Sequence, residues 1–264
     1  MQTDRPVALI TGASSGIGAA FARSLAKRGY DLIVVARRRD LLEQLAQELA
    51  AGGCAVEVIE ADLTEPASLA AVENRLLSGG PVDLLVNNAG FGTTGMFPKT
   101  DLAGQDKMHK LHVIAPMRLT HAALQSMTAR NKGAIINVAS VAAFAMSAGN
   151  VSYCATKAWM KNFSEGLAME LTAMRSAVRV QALCPGFTYS EFHDAMKVPR
   201  SAVPKSLWMD AGFVVQESLD ALDRGDLFVI PGWKYRLFVG VLPFIPRRIR
   251  HAVGARSGRR MKRV

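Results

Sequence analysis

The chain has 264 residues, half of them hydrophobic, and a formal charge of +10; that length supports one well-buried α/β domain. The apolar residues fall in short runs broken by Gly, Asn and Asp, and none approaches the roughly eighteen uninterrupted residues of a membrane span. Charge is uneven: residues 247–264 hold eight Lys or Arg and no acid, leaving +2 for everything before them. Asp4 and Arg5 lead directly into a strand pattern, which does not read as a secretory signal. Cys54, Cys154 and Cys184 have no metal-ligand spacing, so no metal is expected, and their apolar contexts predict buried, reduced thiols in a cytoplasmic protein.

In chain order, residues 7–10 form a short apolar run ending at Thr11-Gly12, a buried strand, and an amphipathic helix follows over about 16–28. Residues 32–35 are the second strand, followed by a helix over about 39–51. The third strand, 56–59, ends at Asp62; a helix through Leu69, Val72 and Leu76 leads to the fourth, 84–86, which ends in Asn87-Asn88-Ala89-Gly90. A long helix over about 105–130, a strand at 134–138 and a helix over about 152–175 come next. Residues 178–183 and 227–230 supply the last two strands. This alternation predicts a doubly wound, Rossmann-type parallel sheet of about seven strands with helices on both faces. A single domain over residues 1–232 would carry both dinucleotide binding and catalysis, followed by a C-terminal extension, 233–264, that is apolar and then strongly basic.

Ligands of such sheets bind beyond the carboxyl ends of the strands. Gly12, Arg37, Asp62, Asn88, Ser140 and Pro185-Gly186 all fall at those ends. In Thr11-Gly12-Ala13-Ser14-Ser15-Gly16-Ile17-Gly18, Gly12 permits a tight turn, Gly16 lets backbone approach a pyrophosphate, and Gly18 allows close helix packing. The helix N-terminus offers free N–H groups and positive dipole to phosphates. Tyr153 and Lys157 are four apart on a helix and so share a face. An ammonium beside a phenol favours the phenolate, which predicts a Tyr153 pKa drawn toward neutrality. Ser140, thirteen residues before the tyrosine, could hold a carbonyl or alkoxide oxygen.

Taken together, Thr-Gly-x-x-x-Gly-Ile-Gly, Asn-Asn-Ala-Gly, a Ser thirteen before Tyr-x-x-x-Lys, and Pro-Gly after the sixth strand resemble the short-chain dehydrogenase/reductase family, over about residues 5–232. The resemblance implies that Ser140, Tyr153 and Lys157 are catalytic. Tyr153 would exchange the proton, Lys157 would depress its pKa and bind the nicotinamide ribose, and Ser140 would hold the substrate oxygen. It implies cofactor contacts at Thr11, Gly12, Ser14, Ser15, Gly16, Ile17 and Gly18, and at Asp62 and Leu63 for the adenine. Asn88, Ala89 and Gly90 would line the cofactor's middle section, and Pro185, Gly186 and Thr188 would face the carboxamide. Where an acid would select NAD, the chain has Ala36-Arg37-Arg38-Arg39. Guanidinium groups suit a 2′-phosphate, so Arg37 or Arg38 predicts NADPH (NADP), with NADH less favoured. One position departs from the pattern: His112 stands where the family generally has Asn. The role there is largely that of a backbone carbonyl, and Pro116 has no N–H to occupy it. His112 is therefore carried as a fourth catalytic residue in an altered relay, one that could titrate near neutrality and add a limb to the pH profile.

The long stretch 189–209, with Phe192, Met196, Val198, Val203, Leu207 and Trp208, reads as a lid. Its apolar character, with Phe91, Phe144 and Met146, fits either a lipophilic ketone or aldehyde or ordinary packing. The apolar stretch 237–246 reads as a helix packed on the domain, and the basic cluster after it as a frayed, solvated end. Peripheral contact with an anionic membrane is the alternative, and no nucleic acid is expected. The leading reading is an NADPH-dependent carbonyl reductase, a homodimer or homotetramer through residues 105–130 and 152–175. An NAD-dependent secondary-alcohol dehydrogenase and a catalytically silent cofactor-binding protein are the alternatives.

Overall fold

Each central strand sends alternate residues to opposite faces, and that alternation builds two separate cores. The computed structural model describes residues 5–191 and 203–260, with backbone alone at 257–260. Its strands are β1 (Val7–Thr11), β2 (Asp31–Ala36), β3 (Val56–Glu60), β4 (Leu84–Asn87), β5 (Ala134–Val138), β6 (Arg179–Leu183) and β7 (Phe228–Val229). Its helices are α1 (Gly16–Lys27), α2 (Arg39–Ala50), α3 (Pro66–Ser78), α4 (Leu102–His109), α5 (Ala115–Ala129), α6 (Val151–Ala173), α7 (Ala211–Arg224), α8 (Trp233–Val241) and α9 (Arg247–Arg260). All seven strands lie parallel in one sheet, in the order β3-β2-β1-β4-β5-β6-β7. Ala8, Ile10, Leu32 and Val34 pack with α1, α2 and α7 on one face. Leu9, Ile33, Val35 and Leu85 pack with α3, α5 and α6 on the other. Burying each such side chain is worth roughly 1.5–3 kcal/mol. The chain order reverses between β1 and β4, which opens a crevice at their carboxyl ends.

The predicted strands and the single Rossmann-type sheet are present, and three elements differ in detail. The long helix expected over 105–130 is α4 and α5 joined by a π-helical turn, Lys110–Ile114, whose ring closes with the Ala115 N–H on the Lys110 carbonyl. Pro116 cannot donate, so the backbone widens just before it. α7 was not anticipated, although its signals are local: Asp210 caps the Gly212 and Phe213 amides at 2.7 and 3.3 Å, and Gly225 ends the helix at φ +83°. The basic segment expected as a solvated end instead forms α9, which lies along the crevice. Of the predicted lid residues, Phe192, Met196 and Val198 lie outside the described residues. Trp208 stacks on Tyr189 with centroids 5.0 Å apart. Among the described residues no helix is long and apolar enough to cross a membrane, and all three cysteines are buried and free.

Candidate active site

The carboxyl ends of the strands open into one cleft of about 1580 Å³. That exceeds the roughly 300–1,000 Å³ of a typical small-molecule pocket, so there is room for a large ligand and a second, smaller one. The predicted site residues line it, except Thr11, Gly18 and His112, which lie beneath it.

The glycine turn is held from below. Gly12 has φ +67° and Gly16 φ +56°, conformations that disfavour any side chain. A Cβ at Gly12 would stand 2.8 Å from the Ala89 Cα, and one at Gly18 would strike the Gly12 carbonyl. Thr11 Oγ1 accepts the Asn88 and Ala89 amides, both at 3.0 Å, while Asn88 Nδ2 donates to Thr11 O at 2.8 Å. These two side chains therefore bind the turn to β4. Ser15, at the start of α1, makes no side-chain cap, and the first turn carries no acid. The amides of that helix end face the cleft without a protein acceptor from the cap.

At the end of β2, Arg38 Nη2 donates to Ser14 Oγ and Ser15 Oγ at 3.0 and 3.1 Å and to Glu191 Oε2 at 2.8 Å. Arg37 is largely exposed, with Nη1 3.9 Å from Asp62 Oδ2. Burial alone would raise the Asp62 carboxyl. The N–H and hydroxyl of Thr64, at 3.0 and 2.8 Å, together with Arg37, instead bring it below its ordinary value.

At the other end, Tyr153 and Ser140 line the cleft together, and the serine favours the ionised phenol. The Ser140 hydroxyl accepts the Ala142 N–H at 3.1 Å and lies 3.4 Å from Pro185 O. Lys157 is 4 % exposed and donates from Nζ to Val138 O at 2.7 Å, with Nζ 5.9 Å from the Tyr153 ring centroid. The expectation that the ammonium draws the phenol toward neutrality is corrected here. Burial pushes Tyr153 up to about 12, only partly offset by the Ser140 side chain. Burial likewise pushes Lys157 down to about 8.

His112 is corrected as well. Its ring is fully buried, and Nδ1 lies 3.0 Å from Thr156 Oγ1. The Thr156 hydroxyl donates to Tyr153 O at 3.0 Å, so it accepts from His112, and Nε2 accepts the Phe91 N–H at 3.2 Å. Both ring nitrogens are committed to a neutral imidazole. Burial first, and Lys157 second, hold its pKa well below the usual value, so it does not titrate near neutrality. It fixes the turn after β4 against the second turn of α6. Gly90 is required beside it, since a Cβ there would stand 2.7 Å from Nε2.

One residue was missed by the sequence reading. Tyr235 of α8 is 8 % exposed and lies beneath Pro185-Gly186-Phe187-Thr188. Its hydroxyl accepts the Phe187 N–H at 3.0 Å and donates to Leu207 O at 2.7 Å. A Cβ on Gly186 would run into its ring.

Residues 6–199 match the family description "short chain dehydrogenase". An uncharacterized oxidoreductase of Myxococcus xanthus is 30 % identical over 250 residues, covering 94 % of this chain and 96 % of the relative. Among solved structures, a short-chain dehydrogenase from Sphingobium yanoikuyae in complex with NADPH superposes with TM-score 0.83 at 38 % identity, covering 89 % of this chain and 93 % of its own. A bulky-bulky ketone specific alcohol dehydrogenase from Comamonas testosteroni gives 0.78 at 35 % identity, covering 93 % and 96 %.

Proposed function

The chain belongs to the short-chain dehydrogenase family of NAD(P)-dependent oxidoreductases, and from that premise we propose that it uses NADPH to reduce a ketone or aldehyde on a lipophilic small molecule. The observation that carries the reading is that Tyr153, Ser140 and buried Lys157 line one cleft, which also receives the uncapped end of α1. The residues present fit a dinucleotide. Positive-φ glycines leave backbone bare at the turn, and free helix amides stand where phosphates need donors. Gly12, Ser14, Ser15, Gly16 and Ile17 would hold the pyrophosphate, Asp62 and Leu63 the adenine, and Pro185, Gly186 and Thr188 the carboxamide. Thr11, Gly18 and Asn88 would act by shaping the turn.

Bound NADPH would supply hydride to the carbonyl carbon. Ser140 orients the substrate oxygen toward Tyr153, whose hydroxyl gives up its proton to that oxygen as the C–H bond forms. A phenol held at about 12 keeps its proton at physiological pH, which suits an acid in reduction better than a base in oxidation. The Lys157 ammonium steadies the phenolate left behind, and water returns the proton. His112 is a positioning residue that holds Phe91 and α6 in register.

Arg37 and Arg38, with no acid at the end of β2, support the 2′-phosphate, as does the NADPH named for the Sphingobium structure. Phe91, Phe144, Met146 and Phe238 wall the substrate end, and the Comamonas enzyme is named for bulky ketones. The alternative, NAD-linked oxidation of a secondary alcohol, draws on Glu191, whose carboxylate occupies Arg38. Ranking NADPH and NADH by kcat/KM decides between them. Loss of reduced-cofactor absorbance across a panel of bulky ketones tests the main reading, and no turnover on any of them would sink it.

Exposed apolar side chains on α5 and α6, Met117 and Met169 at 39 and 64 %, with Met174 just past the end of α6 at 64 %, support a subunit contact there. A homo-oligomer with peripheral attraction to anionic membranes through α8 and α9 completes the proposal.

A further inference from the structure

The side that α9 turns toward the cleft carries basic side chains among apolar ones. Its contact with the domain is at Gly254, whose carbonyl accepts the Ala148 N–H at 3.0 Å and where a Cβ would meet Met146 O at 2.6 Å. Residues three, four and seven positions earlier share that side of a helix. They are His251, Arg250 and Arg247, and all three line the cleft, whereas Arg248, Ala252 and Arg256 do not. Ile249, Val253 and Ala255 line the cleft as well, so the helix offers it apolar and basic side chains together, with Ile249 and Val253 still 53 and 61 % exposed.

Among the described residues no carboxylate answers this charge. The carboxylates lining the cleft, Asp62 and Glu191, face Arg37 and Arg38 at the other end. Among the described residues neither Arg247 nor Arg250 pairs with an acid, and Arg247 Nε donates to His251 Nε2 at 3.3 Å. The first turn of α9 has no acid either, so its arginines stand against the positive end of the helix dipole. An anion in the cleft would relieve both costs. Between these guanidiniums and Ser140 the walls are apolar, formed by Phe144, Met146, Leu242 and Ile245.

We propose that the substrate is an amphiphile, a carbonyl compound with a lipophilic body and a remote anionic group that seats on Arg247 and Arg250. This rests on the reductase reading for the carbonyl end alone. The test compares a long-chain keto acid with its methyl ester under NADPH turnover. The acid is expected to exceed the ester in kcat/KM by about tenfold, as for one charge-assisted hydrogen bond. The double variant Arg247→Gln/Arg250→Gln should bring the ratio near one. Arg248→Gln/Arg256→Gln, which removes equal charge from the far side of the helix, should preserve it. Equal kcat/KM for acid and ester in the unaltered enzyme overturns the inference while leaving the reductase intact, and so does loss of preference in both double variants. Calorimetric binding of a saturated fatty acid against its methyl ester gives a readout without turnover. Tighter acid binding that depends on Arg247 and Arg250, with no ketone reduced, sinks the reductase and keeps the anion seat. Equal binding of acid and ester sinks the seat.

Discussion

Replacing Lys157 by methionine should abolish turnover and make the fold relatively more stable at neutral pH. The lysine titrates near 10.5 when unfolded, and burial lowers it to about 8 in the fold. Between those values the unfolded chain holds more protons, so the lysine costs stability at low pH and the cost fades as pH rises. Linkage puts that cost at about 3 kcal/mol at pH 7 and about 1 kcal/mol at pH 10. The hydrogen bond to Val138 O is lost in the variant at either pH, so its contribution largely cancels in the difference. Urea unfolding of both proteins at pH 7 and pH 10, at fixed protein concentration, should therefore show the variant's relative stability greater at pH 7 by about 2 kcal/mol. A relative stability that does not change with pH would refute the buried-ammonium reasoning, whatever happens to activity.

Tyr153→Phe should lower ketone reduction by about a hundredfold or more, the scale of general acid catalysis, with cofactor binding retained by fluorescence titration; unchanged turnover would remove the tyrosine from the chemistry. The kcat/KM for reduction should fall as pH rises through about 8, where Lys157 loses its proton. The same profile should show no His112-dependent limb between pH 6 and 7. His112→Phe leaves the Phe91 N–H without its acceptor and takes from the Thr156 hydroxyl the bond it accepts, and should cost about 1–3 kcal/mol in urea unfolding; a wild-type limb that vanishes in His112→Asn would overturn the neutral assignment. Arg37→Glu/Arg38→Glu should cut the NADPH-to-NADH ratio in kcat/KM by at least about tenfold, and an unaltered ratio would place the 2′-phosphate elsewhere.

What was legible in the sequence was what backbone geometry demands locally. Gly12, Gly16 and Gly18 are fixed by a turn that no side chain tolerates, and strand periodicity places Asp62, Asn88, Ser140 and Pro185 at one edge of the sheet. The Tyr153–Lys157 spacing gave a shared helix face, but not the degree of burial. Desolvation outweighs the ammonium, and the same burial silences His112. Tyr235 escaped because its partner Phe187 lies 48 residues away, and nothing near either residue announces the contact. The basic segment escaped for the opposite reason. Its composition reads as a solvated end, and only the placement of Gly254 against Met146 shows which side of the helix faces inward.

The Tyr235 wedge beneath Gly186 ties the catalytic floor to the order of synthesis. A nascent chain that has emitted every motif through residue 188 still lacks the prop for that floor until residue 235 clears the ribosome. Competence should therefore switch on late and abruptly, and clipping the end of the protein should disable it far more than the modest mass removed would imply.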